Sequence, residues 1–198
     1  MKHRILLLFL IATLFAFTAT ERKSVPATVD LVEGVPFFIY ATPTAKYEIV
    51  GKAMSMGGII KITVNETATL NEKAIAFVKS AYERVEKGKT ARFDALLLDL
   101  DKEKAHAIKF TESVSREANV VSYEGVPVYL FAKPNAEYDV VANFKADYSV
   151  RAANGLLLDK IKSMVRRVLK KEENGEVGHF DALLINAEDM SETLIKFK

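Results

Sequence analysis

Apolar positions follow two rhythms along this chain, and each rhythm occurs twice. Short runs rich in aromatic and β-branched residues predict strands. The predicted strands are 35–41, 47–53, 95–99 and 105–110, followed by 126–132, 138–144, 182–186 and 193–197. Apolar residues spaced three and four apart, from Leu70 to Val85 and from Leu157 to Val168, predict amphipathic helices. The pattern therefore predicts the order β-β-α-β-β, twice.

The sequence of these elements also repeats. Residues 33–51 align with 124–142 at an offset of 91, and nine of 19 positions are identical. Residues 93–110 align with 180–197 at an offset of 87, and eight of 18 are identical. We therefore predict an α+β fold built as a tandem duplication of a β-β-α-β-β unit, with the helices packed on an antiparallel or mixed sheet. The predicted domains are repeat 1 (25–110), a polar linker (111–119) and repeat 2 (120–198).

The first residues are typical of a secretory signal peptide. Lys2 and Arg4 precede an apolar run, 5–17, and small residues follow it. The run is shorter than the about 20 residues that a membrane-spanning helix needs. The sequence predicts a cleaved signal peptide, 1–19, and hence a periplasmic or extracellular protein; an uncleaved N-terminal anchor is the alternative.

Composition and charge narrow the classes of function. The 198 residues contain no Cys, which excludes disulfides, thiolate metal sites and cysteine nucleophiles. The chain has 28 lysines and arginines against 26 acidic residues. The excess of two comes from Lys2 and Arg4, because residues 1–19 contain no acid. The remaining charges balance, so no nucleic-acid partner is expected. The signal segment is the predicted membrane contact.

Part of each half resembles a known group of proteins. Tyr47-Glu48-Ile49-Val50-Gly51, then a helix, then Phe93-Asp94-Ala95-Leu96-Leu97, resembles small bacterial heavy-metal-binding domains and related stress-sensor lipoproteins. Those families have Gly-Ala before the aspartate, where this chain has Arg92-Phe93 and His179-Phe180. The resemblance implies an α+β module in the cell envelope that binds a metal or a small ligand.

Asp94 and Asp181 occupy aligned positions just before a buried strand. One hypothesis is a pair of carboxylates that face each other and share a proton in acid–base catalysis. The structural alternative, which we favour, is that each aspartate accepts hydrogen bonds from nearby backbone N–H groups in the turn. No catalytic residue is therefore assigned.

Tyr47 and Tyr138 are also aligned, each just after a proline-containing loop. They are candidates for a ligand-binding groove lined by aromatic rings, and the alternative is ordinary packing between strands. Asp94 and Asp181 are the other candidate ligand-binding residues.

The histidines argue against a metal site that both halves share. His106 aligns with Thr193, and His179 aligns with Arg92, so neither half repeats the other's histidine. A site without Cys would depend on carboxylates. We predict no metal ligands and no cofactor.

The second helix carries a row of basic residues. These are Lys160, Lys162, Arg166, Arg167, Lys170 and Lys171. They could make a weak contact with an anionic membrane surface, but a solvated face is the expected interpretation.

Three functions remain after these observations. The first is a non-catalytic exported module that binds a protein or small-molecule partner in the cell envelope. The second is a periplasmic binder of a metal or small ligand. The third is an enzyme that uses Asp94 and Asp181, and the absence of a complete catalytic motif makes this the least favoured.

Overall fold

Within the residues that the structure describes, two helices and three main sheets form an α+β structure, which is the fold class that the sequence predicts. The structure is a computed structural model that describes residues 22–55, 61–62, 68–102, 104–145 and 155–198. The predicted signal peptide, 1–19, lies outside the described residues. In chain order the elements are β1 (Ala27–Val29), β2 (Leu31–Val32), β3 (Val35–Ile39), β4 (Ala41–Pro43), β5 (Tyr47–Ser55), β6 (Lys61–Ile62), α1 (Leu70–Glu86), β7 (Ala95–Asp99), β8 (Lys104–Phe110), β9 (Glu117–Val120), β10 (Ser122–Tyr123), β11 (Val126–Leu130), β12 (Ala132–Pro134), β13 (Tyr138–Phe144), β14 (Gly155–Leu156), α2 (Leu157–Glu173), β15 (Ala182–Ile185) and β16 (Glu192–Phe197).

The N-terminal sheet has the strand order β2-β3-β7-β8-β5. Strands β3 and β7 are parallel, and the other neighbours are antiparallel. Helix α1 covers one face, and its Phe77 packs edge-on against Phe37 with ring centroids 6.1 Å apart. Thr69 caps the helix in a capping box, since its hydroxyl accepts from the Glu72 N–H while the Glu72 carboxylate accepts from the Thr69 N–H.

The C-terminal sheet has the strand order β10-β11-β15-β16-β13. Again one neighbouring pair, β11 and β15, is parallel, and the others are antiparallel. Helix α2 contributes Ile161, Met164 and Val165 to the buried core. Leu156 occupies its N-cap position without a side-chain hydrogen bond. The two five-stranded sheets therefore share one order of strands but differ in how their helices begin.

A central sheet is built from strands of both halves, in the order β12-β1-β9-β4. At its middle, Ala27 lies opposite Ala118, and these two positions are aligned in the sequence. On one side Ala27 also pairs with Pro134, and on the other Ala118 pairs with Pro43. Each half thus gives two strands, β1 and β4 or β9 and β12, and every neighbouring pair in this sheet joins one half to the other through backbone hydrogen bonds.

The central sheet corrects three expectations about the chain. The predicted strands 35–41 and 126–132 each break before their last two residues, because Tyr40 and Phe131 have φ of 55° and 51°. The residues that follow form β4 and β12 of the central sheet. The segment 111–119, predicted as a linker, ends inside β9. Local patterns do not reveal these strands because their partners are distant in sequence.

Burial on both faces explains the continuous apolar strands. All five residues of β3 are buried. Phe37 and Ile39 belong to the core on the helix side, whereas Phe38 belongs to a second core that includes Ala27 and Ala118 of the central sheet. Alternating side chains must therefore be apolar on both faces, which produces an unbroken apolar run. The helix-side core is shared by the halves, since the rings of Phe37 and Phe131 lie 5.3 Å apart.

Candidate functional site

A cleft of about 490 Å³ opens on the N-terminal sheet; we call it the first cleft. Tyr47 and Ile49 of β5, Leu97 of β7 and His106 of β8 line it. Leu97 and His106 are direct neighbours across the β7–β8 pair. The remaining lining residues come from Tyr40 and strand β4, from the turn at 98–102 and from Val121 of the other half.

The cleft continues the face of the sheet that the central sheet covers. Near one end of this face, Phe38, Ala95 and Ile108 are buried in the second core. Leu97, two residues further along β7 than Ala95, and Ile49, which pairs with Ile108 from the outer strand β5, line the cleft instead. The left-handed backbone at Tyr40 is where the chain passes from β3 into β4, whose residues then form a wall. The break in the predicted strand thus contributes directly to the cleft.

Charged and phenolic groups surround the apolar floor of the first cleft. Lys102 Nζ lies 2.9 Å from Asp99 Oδ2, and the Lys102 N–H donates to Asp99 Oδ1 at 3.0 Å. Burial favours a higher pKa for Asp99, but the hydrogen bonds and charge of Lys102 outweigh it and lower that pKa. Burial, followed by the nearby charge of Asp101, raises the pKa of Tyr40 to about 12. The Tyr40 hydroxyl therefore stays protonated at neutral pH.

His106 adds an imidazole ring to the lining of the first cleft. Its Nδ1 is buried and has no hydrogen-bond partner among the residues that the structure describes. The ring is otherwise partly exposed.

A second cleft, of about 580 Å³, lies at the matching place on the C-terminal sheet. Eleven of the 13 residues that line the first cleft have their aligned counterparts in the lining of the second. The aligned pairs are Tyr40/Phe131, Ala41/Ala132, Thr42/Lys133, Tyr47/Tyr138, Leu97/Leu184, Leu98/Ile185, Asp99/Asn186, Leu100/Ala187, Asp101/Glu188, His106/Thr193 and Val121/Asp30. The same backbone arrangement thus produces a cleft twice.

The chemistry of the two clefts is partly shared. An aromatic ring (Tyr47 or Tyr138) and a carboxylate (Asp101 or Glu188) recur. In the second cleft, Asn71 Nδ2 donates to Glu188 Oε1 at 2.6 Å. His106 of the first cleft is replaced by Thr193. The predicted Tyr47 and Tyr138 therefore each line a cleft. The carboxylates of Asp101 and Glu188 are not among the predicted site residues. The signal for them in the sequence is an acidic residue at aligned positions of both halves.

Asp94 and Asp181 take part in a different arrangement. The Phe110 N–H donates to Asp94 Oδ2 at 2.9 Å, and the Phe197 N–H donates to Asp181 Oδ2 at 2.8 Å. Neither aspartate lines either cleft. Each carboxylate thus binds the last residue of β8 or β16, a strand of its own sheet, rather than the turn in which the structural alternative placed the donor.

A cluster around His179 has no counterpart in the other half. His179 Nδ1 lies 2.8 Å from Glu172 Oε1, and its Nε2 lies 3.9 Å from Asp181 Oδ1. Arg22 binds Glu172 and the carbonyl of Phe180, and its guanidinium lies 4.1 Å from the centre of the Phe180 ring. No local pattern connects Arg22 with these residues, so the sequence could not predict the cluster.

The sequence predicts that the basic row on α2 is a solvated face, but not all of its residues are exposed. Lys160 is only 4% exposed, so its place on the solvent face was wrong. Burial, and then the nearby charge of Lys73, lowers the pKa of Lys160. Arg166 Nε lies 2.8 Å from Glu124 Oε1, and Lys162 Nζ lies 5.5 Å from the Tyr123 ring centre. Helical spacing placed Lys160 near the border of the apolar face, where packing decided its burial.

The described residues hold neither a clustered metal site nor a membrane-spanning helix. They contain no group of three or more His, Cys, Asp and Glu side chains arranged to hold a metal ion. None of the described helices is long and apolar enough to cross a membrane. Comparisons with family models, curated proteins and solved structures found no match. The resemblance to bacterial heavy-metal-binding modules stays a prediction.

Proposed function

We propose that the protein is an exported, non-catalytic binding module whose two clefts each hold a small ligand. The observation that carries the proposal is the recurrence of one cleft at aligned positions of both halves. A cavity that arises from incidental packing has no reason to recur with the same lining. Because aligned residues line both clefts, we interpret the clefts as a regular feature of the fold.

The size and lining of the clefts suit a small molecule. Ligand pockets commonly enclose about 300–1,000 Å³ and combine an apolar surface with a few polar groups. Both clefts lie in this range, with an apolar floor at Leu97 or Leu184 and polar groups at the rim. The predicted signal peptide supports a location in the periplasm or outside the cell.

The proposal includes an origin by tandem duplication of one β-β-α-β-β unit. It is supported by the two sequence offsets and by the common strand order of the five-stranded sheets. It is further supported by the register of the central sheet, where aligned residues Ala27 and Ala118 oppose each other. Their outer partners, Pro134 and Pro43, are aligned as well. This is the pattern expected of a two-fold dimer whose subunits became one chain.

Catalysis by Asp94 and Asp181 is not part of the proposal. A general acid or base needs an oxygen within hydrogen-bond reach of the substrate. One oxygen of each carboxylate already accepts a backbone N–H, and neither residue lines a cleft. Both facts support a structural role for these aspartates.

Filling each cleft tests the proposal. Leu97→Trp and Leu184→Trp place a bulky ring in the first and the second cleft, and Val114→Trp adds one at an exposed position in the segment between the halves. Saturation-transfer NMR with a set of small amphipathic fragments is the measurement. We expect each single cleft variant to lose about half the transfer, the double variant to lose nearly all, and the control to lose none. Unchanged transfer in the double variant would contradict the proposal.

A further inference from the structure

The two clefts share a pair of groups that together favour a particular charge. At aligned positions, each has a tyrosine ring from an edge strand, Tyr47 or Tyr138, and a carboxylate from the turn after the third long strand, Asp101 or Glu188. Basic residues do not recur in this way, since Lys102 aligns with Asp189 and Lys133 aligns with Thr42.

In the first cleft the single lysine of the lining, Lys102, already forms an ion pair. Lys102 forms an ion pair with Asp99, which largely neutralises both charges. Asp101 makes no hydrogen bond or ion pair with another described residue; its charge acts on the protonated Tyr40 hydroxyl and, less strongly than that of Asp99, on Lys102. The free negative charge at the rim of this cleft therefore belongs to Asp101.

In the second cleft the acidic groups also exceed the basic one. Glu188 accepts a hydrogen bond from the neutral amide of Asn71, so its charge is retained. Asp30 and Lys133 are the other charged residues of the lining. The lining of each cleft thus holds two acidic residues and one lysine, so its formal charge is negative.

We propose that each cleft binds a small organic cation, a primary amine with an apolar or aromatic arm. The ammonium group lies at Asp101 or Glu188, and the arm lies on Leu97 or Leu184 beside the tyrosine ring. A cation near an aromatic face is attracted by the ring quadrupole, and the attraction strengthens as water is excluded. This inference rests on the proposed function, because it names the ligand class of the same clefts.

Other ligand charges fit these clefts less well. An anion would meet Asp101 in the first cleft, where Lys102 is held by Asp99. A calcium ion takes about six to eight oxygen ligands, far more than one unpaired carboxylate offers. An amine requires a single carboxylate and an apolar surface, which both clefts provide.

Three probes of similar shape test the charge of the ligand. Phenethylamine is a cation, 2-phenylethanol is neutral and 3-phenylpropionate is an anion. Each is titrated into the isotope-labelled protein at pH 7, and amide shifts of the residues lining each cleft are followed by NMR. We expect phenethylamine to bind both clefts about tenfold more tightly than 2-phenylethanol, and the anion to bind most weakly.

Charge-removing variants assign the effect to single residues. Asp101→Asn should weaken phenethylamine binding about fivefold in the first cleft alone, and Glu188→Gln should do the same in the second. Binding of 2-phenylethanol should not change. Glu48→Gln and Asp139→Asn are matched controls, since both are exposed acids beside the cleft tyrosines and neither lines a cleft.

The outcomes separate this inference from the proposed function. Equal binding of the three probes, tighter binding of the anion, or no effect of Asp101→Asn would overturn the cationic ligand while leaving small-ligand clefts in place. No shift of the lining residues with any probe, together with no fragment transfer in the cleft-filling experiment, would overturn both.

Discussion

The first and second clefts have the same position on their sheets but different polar side chains. Leu97 and Leu184 form equivalent floors, whereas His106 is replaced by Thr193 and Asp99 by Asn186. The path of the backbone therefore decides where a cleft lies, and a few side chains decide what it can bind. We expect the two clefts to accept related ligands with different preferences.

Asp94 and Asp181 teach the opposite lesson about aligned residues. They are identical, and each binds the backbone N–H at the aligned position, Phe110 or Phe197. Identity between the halves here reflects a shared structural bond. The residues that differ, at the cleft rims, are the better guide to what distinguishes the halves.

The largest expected effect on the free energy of unfolding comes from disrupting the central sheet, which joins the two halves. Ala118→Asp would bury a carboxylate in the middle of the central sheet, where Ala118 is fully buried. We expect a loss of about 3–5 kcal/mol in the free energy of unfolding, since a buried unpaired charge is costly. Urea denaturation measures it. Asn119→Asp, at the exposed neighbouring position, should change little; equal losses would mean that the central sheet does not hold the halves together.

The next effect compares the two aspartates. Asp181→Ala should cost about 2 kcal/mol, because it leaves the Phe197 N–H unpaired in a buried setting. Asp94 is less buried, so Asp94→Ala should cost about 1 kcal/mol. Thermal and urea unfolding of both variants check the order. Asp94→Asn and Asp181→Asn keep an acceptor oxygen, so their stability should be close to that of the unmodified protein. A loss as large as that of the alanine variants would mean that the negative charge, and not the acceptor oxygen alone, stabilises the fold.

A smaller effect separates the two helices. Thr69→Ala removes the side-chain cap of α1 and should cost about 1 kcal/mol, whereas Thr69→Ser should cost little. Helix α2 has no side-chain cap to lose, because Leu156 stands at its N-cap. Circular dichroism during urea unfolding is the measurement. Equal stability of the alanine and serine variants would show that the capping box contributes nothing.

The smallest effect concerns the His179 cluster of the C-terminal half. Burial favours a higher pKa for Glu172, but hydrogen bonds from Arg22 and His179 and their charges outweigh it and hold that pKa below its ordinary value. Ionised Glu172 therefore stabilises the fold above the unfolded-state pKa, and this contribution is lost as the pH falls through the lower folded-state pKa.

Glu172→Gln should accordingly lower stability at neutral pH and flatten its dependence on pH in the acid range, below about pH 4.5. Thermal melts from pH 7 to pH 3 provide the measurement. Glu173→Gln is the control, because Glu173 is an exposed acid next to Glu172 that makes no ion pair with another described residue. A pH profile identical to that of the unmodified protein would show that the contacts of Glu172 are energetically unimportant.

Much of the local structure followed from the sequence, and the long-range pairings did not. The spacing from Leu70 to Val85 predicted α1, whose buried residues include Leu70 and Phe77. The same reasoning misplaced Lys160, because helical periodicity gives an angle around the axis and not the depth of the neighbouring layer. Only the first residues of β4 and β12 were predicted as strand. The local sequence does not contain the partner strands that stabilise such short strands.

Sequence by itself determined which residues are apolar, where helices and long strands form, and that two stretches of the chain resemble each other. These properties depend on neighbours within a few residues or on direct comparison of letters. Only the tertiary structure decided that Ala27 meets Ala118, that the chain bends at Tyr40, and that Tyr47 shares a cavity with Asp101. Each of those depends on the pairing of distant strands, which is set by the combined burial of the whole chain.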